Sequence, residues 1–133
     1  MSVSVYKFGG ASVKDAEHFL SVAKIIGDHK GGSLVVIVSA MGKMTNALES
    51  VVAPLNDENL NEAERILRDI LAAHLTVVND LKLDDALNDE LKNLYDGVIL
   101  NFPDLIELHY DQIYDQVIGL GELSSSLILT ALL

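Results

Sequence analysis

The sequence predicts an α/β protein: one βαβ unit at the start and a helix-rich second half. Three observations carry that prediction. Two β-branched runs, "SVSVYKF" (2–8) and "SLVVIVSA" (33–40), flank a stretch whose apolar residues recur at helical spacing. From Leu60 onward the apolar residues fall into successive helical stripes. Each strand ends in glycines or other small residues, and a helix start follows. That is the layout of an open parallel sheet, whose ligands gather outside the carboxyl ends of the strands.

Each element has its own warrant. Residues 2–8 alternate apolar and polar, as in a strand. Asp15 to about Lys30 reads as a helix through Phe19, Val22, Ala23 and Ile26, with Ser12 and Asp15 forming the S-x-x-D pattern of an N-terminal cap. "HKGG" (29–32) ends it, and Gly31 suits a left-handed cap. Residues 33–40 form a continuous apolar run, which predicts a strand buried on both faces. Strand, helix and strand make a right-handed βαβ unit. Thr45 to about Pro54 predicts a short helix with Thr45 as its N-cap. Ala63, Ile66, Leu67, Ile70, Leu71, His74, Val78 and Leu81 mark the next helix, and Leu83 through Phe102 another. Two more are expected, one from about Asp104 after Pro103 and one from about Gly121. Two strands are too few for a stable sheet on their own. With the apolar ending "LILTALL", this leads to the expectation that residues 1–133 are the front piece of a larger domain.

Composition narrows the function classes. With 133 residues the chain is one domain long, and half of it is hydrophobic, enough for a core. The mean hydropathy is +0.31, yet the longest apolar runs fall far short of the roughly 20 residues of a membrane helix. No secretion signal is evident. The net charge of −11 argues against a nucleic-acid surface. The chain has no cysteine, which removes disulfides and thiolate metal sites and fits a cytoplasmic protein. The four histidines (18, 29, 74, 109) are scattered and stand at no metal-ligand spacing. No metal ligands are therefore expected, and no Ser–His–acid set can be assembled.

Three motifs remain. "KFGGAS" (7–12) is a glycine turn between a strand and a helix, with Lys7 at the strand end. Such a turn can aim backbone N–H groups and a lysine at a phosphate, or it can be an ordinary βα connection. "VSAMGKMTNAL" (38–48) repeats the arrangement and sets Ser39 and Thr45 at the same crevice; both hydroxyls could equally be caps. It is not a Walker A loop, because no glycine stands five positions before Gly42. "GLGELSSSL" (119–127) places Glu122 near an expected helix N-terminus, where it could cap the helix or hold an ammonium group. It is no dinucleotide fingerprint, since Ser124 replaces the third glycine.

In this order and spacing, "KFGGASV", "VSAMGKMTNAL" and "GLGELSSSLIL" resemble the aspartokinases of the amino acid kinase family, from Tyr6 to the end of the chain. The resemblance implies a three-layer α/β/α sandwich around a mainly parallel sheet, with residues 1–133 as its incomplete N-terminal portion, lacking ACT domains. It implies ATP-dependent phosphorylation of the side-chain carboxylate of L-aspartate to 4-phospho-L-aspartate. That is the first step towards lysine, threonine and methionine. By the resemblance, Lys7 contacts the transferring phosphoryl group. Phe8, Gly9 and Gly10 lie along the ATP phosphates, and Mg²⁺ is bound through the nucleotide. Ser39 and Thr45 line the aspartate site, and Glu122 binds the ammonium group. Ala11 departs from the threonine common in the family. The nucleotide loops and further substrate residues of the family's second half are absent, so this chain alone is expected to be inactive. A homo-oligomer is expected for the full-length protein. The alternatives are another amino acid kinase, or a non-catalytic anion-binding or interaction module.

Overall fold

In the computed structural model, which describes residues 2–133, the chain opens with strand β1 (Val3–Phe8), a 3₁₀ turn at Gly10–Val13 and helix α1 (Ala16–Gly27). Strand β2 (Ser33–Val38) follows. Then come helices α2 (Met44–Asn56), α3 (Leu60–Asp80), α4 (Asp85–Leu100), the single turn α5 (Phe102–Leu105) and α6 (Tyr110–Leu132). The strands pair in parallel, with Val5 opposite Val35, Lys7 opposite Ile37 and Phe8 opposite Val38. Sequence and structure agree on the βαβ unit and the helical second half.

The register explains what the sheet buries. Tyr6, Phe8, Val36 and Val38 lean on the core, while Val3, Val5, Val35 and Ile37 stay about half exposed or more. The prediction of a strand buried on both faces thus fails for β2. Among the described residues, helices cover only one face of the two-stranded sheet. The core lies mainly among the helices. Phe19 of α1, Leu48 and Leu55 of α2, Leu67 of α3, Tyr95 of α4 and Leu120 and Ile128 of α6 are almost wholly buried. Burying one such leucine contributes about 2 kcal/mol.

Several boundaries differ from the sequence reading, each for a local reason. Asp15 is itself the N-cap of α1, accepting the His18 N–H at 2.9 Å. Ser12 belongs to the 3₁₀ turn before it. Helix α1 stops at Gly27, so Gly31, at φ +79°, turns the connecting loop and caps no helix. Thr45 is not an N-cap either: α2 begins at Met44 behind Gly42, whose φ of +52° lets the chain turn. Pro54 sits inside the last turn of α2 without ending it. The largest difference concerns α6. One helix runs unbroken through Gly119 and Gly121, so Glu122 lies mid-helix and not at an N-terminus. A helical glycine costs about 1 kcal/mol, and at Gly121 close packing offsets it.

A polar cluster crosses the helical core. Tyr95 O–H donates to Ser124 Oγ at 2.8 Å, and Ser124 donates in turn to the Leu120 carbonyl at 2.7 Å. His74 is fully buried, and its Nδ1–H donates to the Ile70 carbonyl at 2.8 Å. That bond fixes the tautomer, because a carbonyl can only accept. It leaves Nε2 buried with no partner.

Candidate functional site

The two loops leaving the strand ends are stitched together by their backbones. The Ser39 N–H donates to the Phe8 carbonyl and the Gly42 N–H to the Gly10 carbonyl, both at 3.0 Å. Gly10 is required for this approach. A Cβ there would lie 2.7 Å from the Gly42 oxygen and 3.0 Å from the Ala40 oxygen. Gly9 is different: its φ is −76°, and a Cβ would meet nothing within 4 Å. The fold places no demand for glycine at position 9, and the space beside it stays open.

Lysines gather at these loops. Lys7 is exposed on the last turn of the pleat, Lys14 packs beside Gly42, and Lys43 follows it, both exposed. Three of the nine basic residues of a strongly acidic chain therefore flank two stitched glycine turns. These ammonium groups suit anionic oxygens. Among the described residues, no group of three or more His, Asp and Glu is placed to hold a metal ion.

Helix α6 supplies the third wall. The Ser125 hydroxyl donates to the Ser39 carbonyl at 2.6 Å, and Gly121 lies directly against Ala40. This brings the exposed Glu122 to a cleft of about 490 Å³ shared with Val36, Ile37, Val38 and Gly119. Lys7 lines a separate, smaller cleft with Val5, Phe8 and Ile25. The two clefts are one strand apart, since Lys7 pairs with Ile37. The structure thus joins Phe8, Gly10 and Ser39 directly, carries Glu122 to the end of the same sheet, and leaves Lys7 and Glu122 in different clefts. Ser39 is half-buried; Thr45 is exposed on the first turn of α2. A further cleft of about 510 Å³, among α4, α5 and α6, is lined by residues including Asn93, Asn101, Gln116 and Leu94 and holds none of the expected residues.

Sequence reasoning missed Ala40, Gly121 and Ser125 as the contact that docks α6. The available signal was spacing: Gly121 and Ser125 are four apart, hence on one helix face.

The chain belongs to the amino acid kinase family, which it matches over residues 2–133. Within that family it is similar to aspartokinases. It is 28% identical to the bifunctional aspartokinase/homoserine dehydrogenase of Buchnera aphidicola over 98% of this chain and 17% of that protein. It is 36% identical to the chloroplastic aspartokinase 1 of Arabidopsis thaliana over 72% of this chain and 18% of that protein. The fold matches Escherichia coli aspartokinase III in its complex with lysine and aspartate, with a TM-score of 0.80 at 22% identity, covering 98% of this chain and 28% of that one. The complex of the same enzyme with aspartate and ADP gives 0.77. The chain spans under a fifth of the length of these curated relatives. No helix among the described residues is long and apolar enough to cross a membrane.

Proposed function

We infer that residues 1–133 are the N-terminal portion of an aspartokinase catalytic domain. In this reading they hold L-aspartate and meet the phosphate to be transferred from ATP, and the reaction gives 4-phospho-L-aspartate, at the head of lysine and threonine synthesis. The observation that carries the reading is the pair of stitched glycine turns flanked by Lys7, Lys14 and Lys43, with a carboxylate, Glu122, docked beside them on α6. Open space at Gly9 admits a phosphate oxygen close to the backbone. Lys7 offsets the charge of the phosphoryl group as it approaches the substrate carboxylate. Phe8 is buried and anchors the turn. Ser39 and Thr45 offer hydroxyls to aspartate, and Glu122 takes its ammonium group. The attacking group is already a carboxylate, so no strong base is needed. Bringing two anions together is the main task, and positioning with charge neutralisation achieves it. Mg²⁺ bound to the nucleotide would supply further neutralisation. We place the enzyme in the cytoplasm, apart from the chloroplastic relatives, and as a homo-oligomer at full length.

Titration of the ¹⁵N-labelled chain with L-aspartate tests the substrate half of this reading. The expected result is saturable shifts centred on the Ser39, Thr45 and Glu122 amides, absent with L-glutamate and lost in Glu122→Gln. Shifts scattered over the surface, or stronger with glutamate or N-acetylglutamate, would overturn it in favour of another amino acid kinase.

A further inference from the structure

Ser125 is fully buried, yet its hydroxyl does not settle for its own helix. Serines inside helices usually donate to the carbonyl four residues back. Here the Gly121 and Glu122 carbonyls lie 3.2 Å away, and the short bond, 2.6 Å, goes to Ser39 across the chain. One turn earlier on the same face, Gly121 presses on the next residue of that loop. A Cβ at 121 would lie 2.7 Å from Ala40 Cβ and 3.0 Å from Leu48 Cδ1. Two contacts a single turn apart thus grip Ser39 and Ala40. Glu122 follows the first of them directly and lines the cleft beside Ile37 and Val38.

We propose that Ser125 and Gly121 are positioning residues for the amino-acid site, clamping α6 onto the Ser39–Ala40 backbone and thereby fixing how far Glu122 stands from Ser39. The proposal rests on the reading of Ser39 and Glu122 given above. A carboxylate and a hydroxyl that hold opposite ends of one small amino acid must keep their separation to within a fraction of an ångström. Neither an exposed glutamate nor a half-buried loop serine keeps such a distance unaided. The Ser125 bond to the Ser39 carbonyl does so, because Ser125 and Glu122 share one helix and moving Glu122 then means breaking it. The adjacent serine supplies the contrast. Ser124 is equally buried but turns the other way, to Leu120 and Tyr95 in the helical core. It contributes to stability without touching the loop.

Hydrogen exchange on the 133-residue chain, combined with the aspartate titration, separates these roles. The reporters are the Ser39 and Gly42 amides, both tied to the first loop. In Ser125→Ala, their exchange relative to core amides should rise about fivefold, and aspartate should bind weaker by a similar factor, as for one lost hydrogen bond. Ser124→Ala should lower the melting temperature at least as much while leaving both ratios at the wild-type value. Gly121→Ala, a second way to open the clamp, should move both in the direction of Ser125→Ala. The proposal is overturned if Ser125→Ala leaves loop exchange unchanged, or if Ser124→Ala reproduces its effects. If the wild-type chain gives no aspartate response, exchange still decides whether the clamp exists, and the substrate reading alone falls.

Discussion

Gly9 and Gly10 are neighbours that answer to different demands. Gly10→Ala drives a Cβ into two carbonyl oxygens, and the expected loss is about 1–3 kcal/mol of stability in a denaturant melt. Gly9→Ala meets open space at an ordinary φ, so its stability should stay within about 0.5 kcal/mol of wild type. Its expected defect is in phosphate or nucleotide binding, measured by titration. The sequence showed the glycine pair but not this division, because which glycine faces the second loop depends on the register of β1 and β2. His74 was legible as part of an apolar stripe and illegible as a polar group, since the Ile70 carbonyl it donates to is a backbone atom that side-chain periodicity does not register. Burial holds its imidazole below the ordinary value of 6.5, the Ile70 carbonyl opposing that only in part. The sign follows: as pH falls below 6.5 the unfolded chain takes up a proton that the folded chain resists. Stability is therefore unaffected by this group above that pH, declines below it, and levels off under the folded-state value. His74→Leu should flatten that acid limb in melts recorded across the range. Tyr95, whose hydroxyl burial pushes up to about 12, stays an O–H donor throughout.

At the scale of elements, periodicity located α1 to α4, but helix ends and glycine-containing stretches misled: α6 was expected as two helices, from about Asp104 and about Gly121, where one begins at Tyr110. Gly119 and Gly121 signal a break by propensity alone. The contact with Ala40 that makes Gly121 necessary belongs to a residue 81 positions earlier, so no local window contains it. Thr45 misled similarly. The hydroxyl stands where a cap could be, but the tight turn at Gly42 moves the cap to Lys43, two residues sooner. Helices α2 and α3 both end with a residue in the left-handed region, Glu58 at φ 57° and Lys82 at φ 55°. The bonds from the Asn59 N–H to the Pro54 carbonyl and from the Leu83 N–H to the Val78 carbonyl close each terminus behind them. A side chain there costs about 1 kcal/mol. Lys82→Gly should stabilise the chain by about 0.5 kcal/mol, net of the added freedom of the unfolded state, as read from a denaturation midpoint.

For the molecule as a whole, charge and sheet coverage matter most. The five ion pairs made by lysine and arginine among the described residues are all substantially exposed, and such pairs contribute little. The net charge of −11 opposes compaction. Raising the salt concentration from about 0.01 M to 0.15 M, which shortens the screening length from about 30 Å to 8 Å, should therefore raise the melting temperature. The fold class was legible because β-branched runs and helical stripes differ in period. The half-exposed sheet was not, since a run such as "LVVIV" looks the same whether one face or two are covered.

In the function proposed above, this fold serves phosphoryl transfer to aspartate through the loop that begins at Lys7. Trapping the acyl phosphate with hydroxylamine tests it most directly. The 133-residue chain, and a chain carrying the remainder of the kinase domain, are each supplied with L-aspartate, ATP and Mg²⁺, with and without Lys7→Ala. The expected result is hydroxamate from the longer chain alone, reduced about a hundredfold or more by Lys7→Ala, as for loss of a charge that stabilises the transition state. Hydroxamate from the longer chain that is indifferent to Lys7, or none with aspartate where another amino acid reacts, would contradict it.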